Sequence, residues 1–249
     1  MPTALTIPCS APPTQVASPF PEPAAPVNLT NHITRDTALF KRLGWRQFVE
    51  QRRSSSDFAS LNKVDHPAQR LLKFYKERGA PVKMATEPWS QDQISAALAR
   101  GAHRSCMEHI EFLHEEFNDM ILKSQWVVLP AEEVMHLPGL RVSPPGVVPQ
   151  RDRRPRWICD YTWSQVNQET LPLAPLEAMQ FGHALDRILW ELILADPSLG
   201  PVKLLKPDTS DGFYRVNLNI DNVPKLGVAF PTKPREPQLV AFPLVLLMG

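Results

Sequence analysis

The sequence predicts an α+β fold, with helices concentrated in the first half of the chain and short strands in the second. The strongest helical pattern covers 91–124, where apolar residues recur at helical spacing, and a second such pattern covers 176–195. Short apolar runs at 202–206, 226–230 and 239–247 then predict strands. Because the first helices precede the strands instead of alternating with them, the α+β class is favoured.

Composition divides the 249 residues into three parts. Residues 1–35 are rich in Pro, Ala, Thr and Ser and nearly free of charge, so they bury too little apolar surface to offset the entropy of ordering. They predict a disordered leader. Residues 36–125 form a helical region, in which Ser90 and Gln93 predict a capping box at the start of the long helix. Residues 126–249 form the predicted second domain.

The bulk composition excludes several classes of protein. Hydrophobic residues make up 43% of the chain and charged residues 21%, as in globular proteins, and the net charge of +1 means that a nucleic acid must be bound by a local patch. Three scattered cysteines disfavour a disulfide framework or a zinc site and favour an intracellular location, in the cytoplasm or nucleus. No apolar run reaches the length of about 18 residues that suggests a membrane span.

A short basic segment is the clearest local charge feature. Four arginines, Arg151, Arg153, Arg154 and Arg156, lie within six residues that contain one acid. The planar guanidinium fork matches phosphate oxygens, so these residues are candidates for nucleic-acid binding. A solvated loop explains the same pattern, and the composition of the segment alone leaves both interpretations open.

Several segments in the second half of the chain resemble motifs of retroelement reverse transcriptases. In chain order they are 140–150 (LRVSPPGVVPQ), 156–161 (RWICDY), 171–175 (LPLAP), 206–215 (KPDTSDGFYR), 225–230 (KLGVAF) and 242–249 (FPLVLLMG). They are similar to the fingers and the start of the palm of that family, and the resemblance covers 126–249. It implies a partial fingers and palm domain built on a small, incomplete antiparallel sheet, with the helix over 176–195 packed on one face.

The resemblance also implies an activity and a set of site residues. The family is an RNA-directed DNA polymerase, which transfers a nucleotide from a dNTP to the 3′-hydroxyl of a primer on an RNA or DNA template. Carried over by position, Asp208 is the catalytic acid that ligates Mg²⁺, and Arg156 pairs with the triphosphate. Phe213 or Tyr214 lies against the sugar of the incoming nucleotide.

Departures from the family pattern limit the expected activity. Pro207 stands directly before Asp208, where it removes a strand hydrogen-bond donor. The Tyr-x-Asp-Asp motif of the family does not occur in this sequence, and the nearby acids Asp211 and Asp221 are interpreted as turn and loop residues. We therefore expect a truncated or degenerate reverse transcriptase that is inactive alone.

Two other functions remain open at the level of the sequence. The chain could be a nucleic-acid-binding module, in which the arginines of 151–156 contact phosphates and Trp157, Tyr161 and Trp163 stack on bases. Alternatively, its helical N-terminal half could bind another protein. Salt-dependent binding to oligonucleotides would separate these two functions.

Overall fold

The computed structural model describes residues 28–53, 62–63, 65, 69–172, 184–203, 212–233 and 235–247. Within these ranges helices dominate the first half and strands the second, which confirms the α+β class. The helices are α1 (Leu29–Arg52), α2 (Gln69–Arg78), α3 (Gln91–Arg100), α4 (Arg104–Glu108), α5 (Ile110–Leu122), α6 (Ala131–Val134), α7 (Val166–Glu169) and α8 (Ala184–Leu194). The strands are β1 (Trp126–Pro130), β2 (Val142–Ser143), β3 (Pro145–Gln150), β4 (Arg153–Cys159), β5 (Gly227–Phe230) and β6 (Leu239–Pro243). Three 3₁₀ helices lie at Pro197–Leu199, Phe213–Arg215 and Ile220–Leu226.

Helix α1 begins earlier than expected and is sharply bent. Its first residue, Leu29, lies in the segment that composition assigned to the leader, and the Asn28 side chain caps it by accepting a backbone N–H at 3.2 Å. Gly44 interrupts it with φ 72° and ψ 169°, a conformation that L-residues with a side chain rarely adopt. The bend produces two limbs, 29–43 and 45–52, which we call the first and second limb of α1.

The prediction of one continuous helix over 91–124 is wrong, because the chain forms three separate helices there. Its start is as predicted: the backbone N–H of Ser90 donates to Gln93 Oε1 at 2.8 Å, and the backbone N–H of Gln93 donates to Ser90 Oγ at 3.3 Å. The first break is at Gly101, whose φ of 64° turns the chain out of the helix. The second is at His109, which has non-helical dihedral angles.

The main sheet has the strand order β1-β6-β5-β2. The β1–β6 and β6–β5 pairs are antiparallel, whereas β5 and β2 are parallel, so the sheet is mixed and not purely antiparallel as expected. Strands β5 and β6 confirm the predictions over 226–230 and 239–247, although β6 ends at Pro243. Val202 and Lys203, the described part of the predicted strand over 202–206, are irregular.

The main sheet is buried on both faces. Along β1, Val127 and Leu129 point into one apolar cluster, the first core, and Trp126 and Val128 point into another, the second core. Helices α1 and α3 cover the first core, to which they contribute these buried residues: Phe40, Phe48, Val49, Ile94, Ala97 and Leu98. Helix α5 and the β3–β4 hairpin cover the second core with these: Leu113, Phe117, Met120, Ile121 and Val147. The helical region and the strands therefore share their cores.

Helix α8 differs from the expectation that it packs on one face of the sheet. From Leu185 to Leu194 no residue is buried, and Leu185, Trp190 and Ile193 are 67%, 61% and 72% exposed. The sheet faces are instead occupied by α1, α3 and α5, which come earlier in the chain. No helix in the described ranges is apolar over a length that could cross a membrane.

Candidate nucleotide and nucleic-acid interface

The acids of the predicted metal site are only partly within the described residues. Asp208, Pro207 and Asp211 lie outside them, so the predicted roles of Asp208 stay predictions. Asp221 is part of the 3₁₀ helix over Ile220–Leu226 and not of a loop, and both of its carboxylate oxygens accept from Arg46 Nη2 at 2.7 Å. In the part of the chain that the structure describes, no three His, Cys, Asp or Glu side chains assemble as a metal site.

The four predicted arginines belong to the β3–β4 hairpin. Arg151 lies in its turn, where Asp152 takes the left-handed conformation (φ 56°) that Asp tolerates better than most residues. Arg153 begins β4, and Arg156 is paired in register with Val148 of β3. Because side chains alternate along a strand, Arg154 and Arg156 share one face of β4. The basic segment is thus part of an ordered hairpin and not a loop.

The positive charge of this hairpin is partly neutralised. Arg154 Nη2 lies 3.1 Å from a carboxylate oxygen of Glu116 on α5, and its guanidinium carbon lies 5.1 Å from the ring centre of Phe112. Arg151 Nε lies 3.7 Å from its neighbour Asp152. Among the described residues, Arg153 and Arg156 form no ion pair. Two of the four predicted arginines therefore remain available for a phosphate.

An open cavity of about 550 Å³ brings together two of the residues predicted to bind a nucleotide. Arg156 and Tyr214 both line it, although one comes from β4 and the other from the 3₁₀ helix over Phe213–Arg215. Arg154, Glu116 and Trp157 contribute to its wall. The third predicted residue, Phe213, is 54% exposed and does not line this cavity. Of the two aromatic candidates, the geometry favours Tyr214.

The aromatic residues expected to stack on bases are mostly occupied elsewhere. Tyr161 is 7% exposed, and its hydroxyl donates to the Leu226 carbonyl at 3.0 Å. Trp157 packs against Phe117, with ring centres 5.1 Å apart. The expectation for Tyr161 is wrong, because this ring is part of the second core, whereas Trp157 borders that core and also lines the open cavity, so its stacking stays a prediction. Trp163 is 42% exposed, but the guanidinium carbon of Arg100 lies 4.8 Å from the centre of its ring and covers one face.

The two described cysteines offer no reactive thiolate. Burial raises the pKa of the Cys106 thiol to about 12, and burial also raises the pKa of Cys159. Cys106 Sγ donates to the Pro145 carbonyl at 3.2 Å, which fixes it against β3. A thiol with a raised pKa is a poor nucleophile at neutral pH. Nucleophilic cysteine chemistry at these two positions is therefore disfavoured.

A polar network around the buried side chain of Arg141, beside β2, was not anticipated from the sequence. Arg141, which precedes β2 and has a side chain 2% exposed, donates to Glu169 Oε2, and its Nη2 donates to Thr86 Oγ1 at 2.7 Å. The guanidinium also lies 5.5 Å from the ring centre of Trp89. Hydrogen bonds from Thr86 and Arg141, of which that from Thr86 has the larger effect, lower the pKa of Glu169. The network ties three segments that are distant in sequence, so only the tertiary fold reveals it.

The described arrangement is suited to holding an anion next to an aromatic ring. Arg156 supplies fixed positive charge at the cavity, and Tyr214 contributes an aromatic side chain to its lining. The described residues of this cavity can therefore bind and orient an anionic ligand. No protein-family model matches this chain, and no curated protein shows significant similarity to it.

Proposed function

We propose that this chain is part of a retroelement-type reverse transcriptase, comprising the fingers and the beginning of the palm. The supporting observation is the cavity that Arg156 and Tyr214 line together. The motif resemblance assigned both residues to the incoming nucleotide, although they belong to distant segments of the chain. A cavity of about 550 Å³ also falls within the usual size range of small-molecule sites, which is roughly 300–1,000 Å³.

In this proposal the chain's own residues bind and orient the nucleotide. Arg156 donates to the triphosphate, where its planar fork can engage two oxygens at once. The Tyr214 ring packs against the sugar and limits the space beside it. Asp208 would hold magnesium, which supplies charge neutralisation at the reacting phosphate when it is bound.

The cavity is tested by measuring the binding of a fluorescent dNTP analogue to the Arg156→Gln variant. Loss of a charge-assisted hydrogen bond to phosphate is expected to weaken binding by roughly tenfold or more. Arg151→Gln is the matched control, since Arg151 lies in the turn of the same hairpin and does not line the cavity. Equal weakening by the two substitutions would show that the nucleotide senses only net charge, and the proposed site would be rejected.

A nucleic-acid-binding module is the second candidate function, and the unpaired charges of the hairpin favour it. The double variant Arg153→Ala, Arg156→Ala is expected to reduce the salt slope of duplex DNA binding by roughly two units, one for each lost phosphate contact. The double variant Arg151→Ala, Arg154→Ala removes the same formal charge from residues that already have acidic partners. It should change the slope less. If the two double variants give the same salt slope, the ion pairs of Arg151 and Arg154 do not decide which arginines contact the DNA phosphates.

A further inference from the structure

A second basic cavity, of about 520 Å³, lies between the two limbs of α1, away from the hairpin. It exists because Gly44 bends the helix and brings residues of the first limb opposite the end of the second. The residues that line it are these: Arg35, Ala38, Leu39, Arg42, Gln51 and Arg52. Half of the lining is arginine and none of it is acidic, so the cavity presents concentrated positive charge in a protein whose net charge is only +1.

A single buried carboxylate orients two of these arginines. Asp36 is 1% exposed, and its Oδ1 accepts from Nε and Nη2 of Arg35, both at 3.2 Å. Arg52 Nε lies 3.2 Å from Oδ2, within ion-pair distance, and Arg52 Nη2 donates to the Ile121 carbonyl at 3.0 Å. Asp36 therefore pairs with two of the three arginines, and Arg42 lacks an ion-pair partner among the described residues.

This geometry favours an anionic ligand with several oxygens. Guanidinium groups bind phosphate through parallel N–H donors, and groups already held in place lose less entropy on binding. Burial lowers the pKa of Arg52, the neighbouring charge of Arg35 adds to this effect, and the charge of Asp36 opposes it. A negatively charged ligand would act in the same direction as Asp36. A carboxylate offers two oxygens, whereas a phosphate group offers more acceptors to three converging cations.

We propose that the cavity between the limbs of α1 binds a phosphate group of a nucleic-acid strand. The choice of a nucleic acid as the source of the phosphate rests on the proposed function. This contact is separate from the β3–β4 hairpin, yet the arginines of the cavity and those of the hairpin both border helix α5. Arg52 contacts α5 at the Ile121 carbonyl, and Arg154 contacts it at Glu116. In this proposal the helical N-terminal region helps to bind the nucleic-acid strand.

The test compares Arg42→Gln with Arg46→Gln in binding to a single-stranded oligonucleotide. Both positions are exposed arginines of α1, but Arg46 is on the second limb, outside the cavity, and is paired with Asp221. Arg42→Gln is expected to weaken binding by roughly tenfold and to reduce the salt slope by about 0.7 unit, the value for one phosphate contact on a single strand. Arg46→Gln should leave both nearly unchanged. Equal effects of the two substitutions would overturn the proposal.

Two further measurements separate the possible sources of phosphate and the two proposals. If inorganic phosphate shifts the Nε–H resonances of Arg35, Arg42 and Arg52 but Arg42→Gln leaves oligonucleotide binding intact, the cavity takes free phosphate and the nucleic-acid proposal is wrong. If only the variant Arg153→Ala, Arg156→Ala loses oligonucleotide binding, the hairpin contact stands and the cavity contact fails. If oligonucleotide binding is lost only in Arg42→Gln, the contact at the cavity is supported and the contact at the hairpin is rejected. Thermal unfolding of each variant checks that its fold is intact.

Discussion

Replacement of Phe117 by alanine is expected to lower the free energy of unfolding by about 3–5 kcal/mol. Phe117 is 1% exposed and is at the centre of the aromatic part of the second core. Its ring centre lies 5.4 Å from that of Trp126, 5.1 Å from Trp157 and 4.9 Å from Phe230. The truncation removes three edge-on or tilted ring contacts and leaves a cavity that the surrounding strands cannot fill. Equilibrium denaturation with urea measures the effect.

Leu122 provides the matched control for this measurement. It is near the end of the same helix, α5, but its side chain is 58% exposed. Leu122→Ala should change the free energy of unfolding by no more than about 0.5 kcal/mol, as is usual for surface positions. A loss at Phe117 as small as that at Leu122 would mean that α5 does not pack on the sheet through this ring. The burial described for the second core would then be incorrect.

The second large effect is expected at the buried ion pair beside β2. Glu169→Met should destabilise the fold by about 3–5 kcal/mol, because it leaves the guanidinium of Arg141, whose side chain is 2% exposed, without its charged partner. The double variant Arg141→Met, Glu169→Met removes both charges together. It should be less destabilised than the sum of the two single variants, since no unpaired charge remains. Strict additivity in this double-mutant cycle would show that the two side chains do not interact.

The pair of Arg141 and Glu169 also makes the stability of the fold depend on pH. The direction of this dependence follows from the lowered pKa of Glu169. Hydrogen bonds from Thr86 and Arg141 lower the pKa of this carboxyl in the folded state below its ordinary value of 4.5. Its contribution to stability is therefore present above that ordinary value and is lost as the pH falls through the folded-state pKa. In Arg141→Met this acid-dependent loss should become smaller, which denaturation at a series of pH values would detect.

Local sequence signals predicted the features that depend on neighbouring residues. The capping box of Ser90 and Gln93 follows from a three-residue spacing, and the strands β5 and β6 follow from short apolar runs. Strand β1 was not predicted, although its residues Trp126–Pro130 are buried on both faces in the same way as those of β5 and β6. The bend at Gly44 was also missed. Its glycine lies within an apolar pattern of helical spacing, and only the backbone angles reveal the change of direction.

At the candidate site, too, the sequence predicted features that depend on neighbouring residues but not contacts between distant segments. The cluster of arginines at 151–156 was visible in the sequence, but its partial neutralisation was not, because Glu116 comes from a different element. The predicted stacking by Tyr161 failed for a related reason: its hydroxyl bonds to the Leu226 carbonyl, far along the chain. Positions that carry a motif can be read from sequence, whereas the availability of their side chains depends on the tertiary fold.

The order of the strands in the main sheet has a consequence for biosynthesis. Strand β6 is the last strand in the described chain, yet it lies between β1 and β5 and pairs with both. A ribosome therefore releases β1 and the helices of the N-terminal region long before their central partner leaves the exit tunnel. During that interval the edge of β1 is unpaired and both cores lack the residues of β5 and β6, a condition that favours aggregation. Chaperone binding to the nascent chain should be strongest in this interval and should end when β6 is inserted.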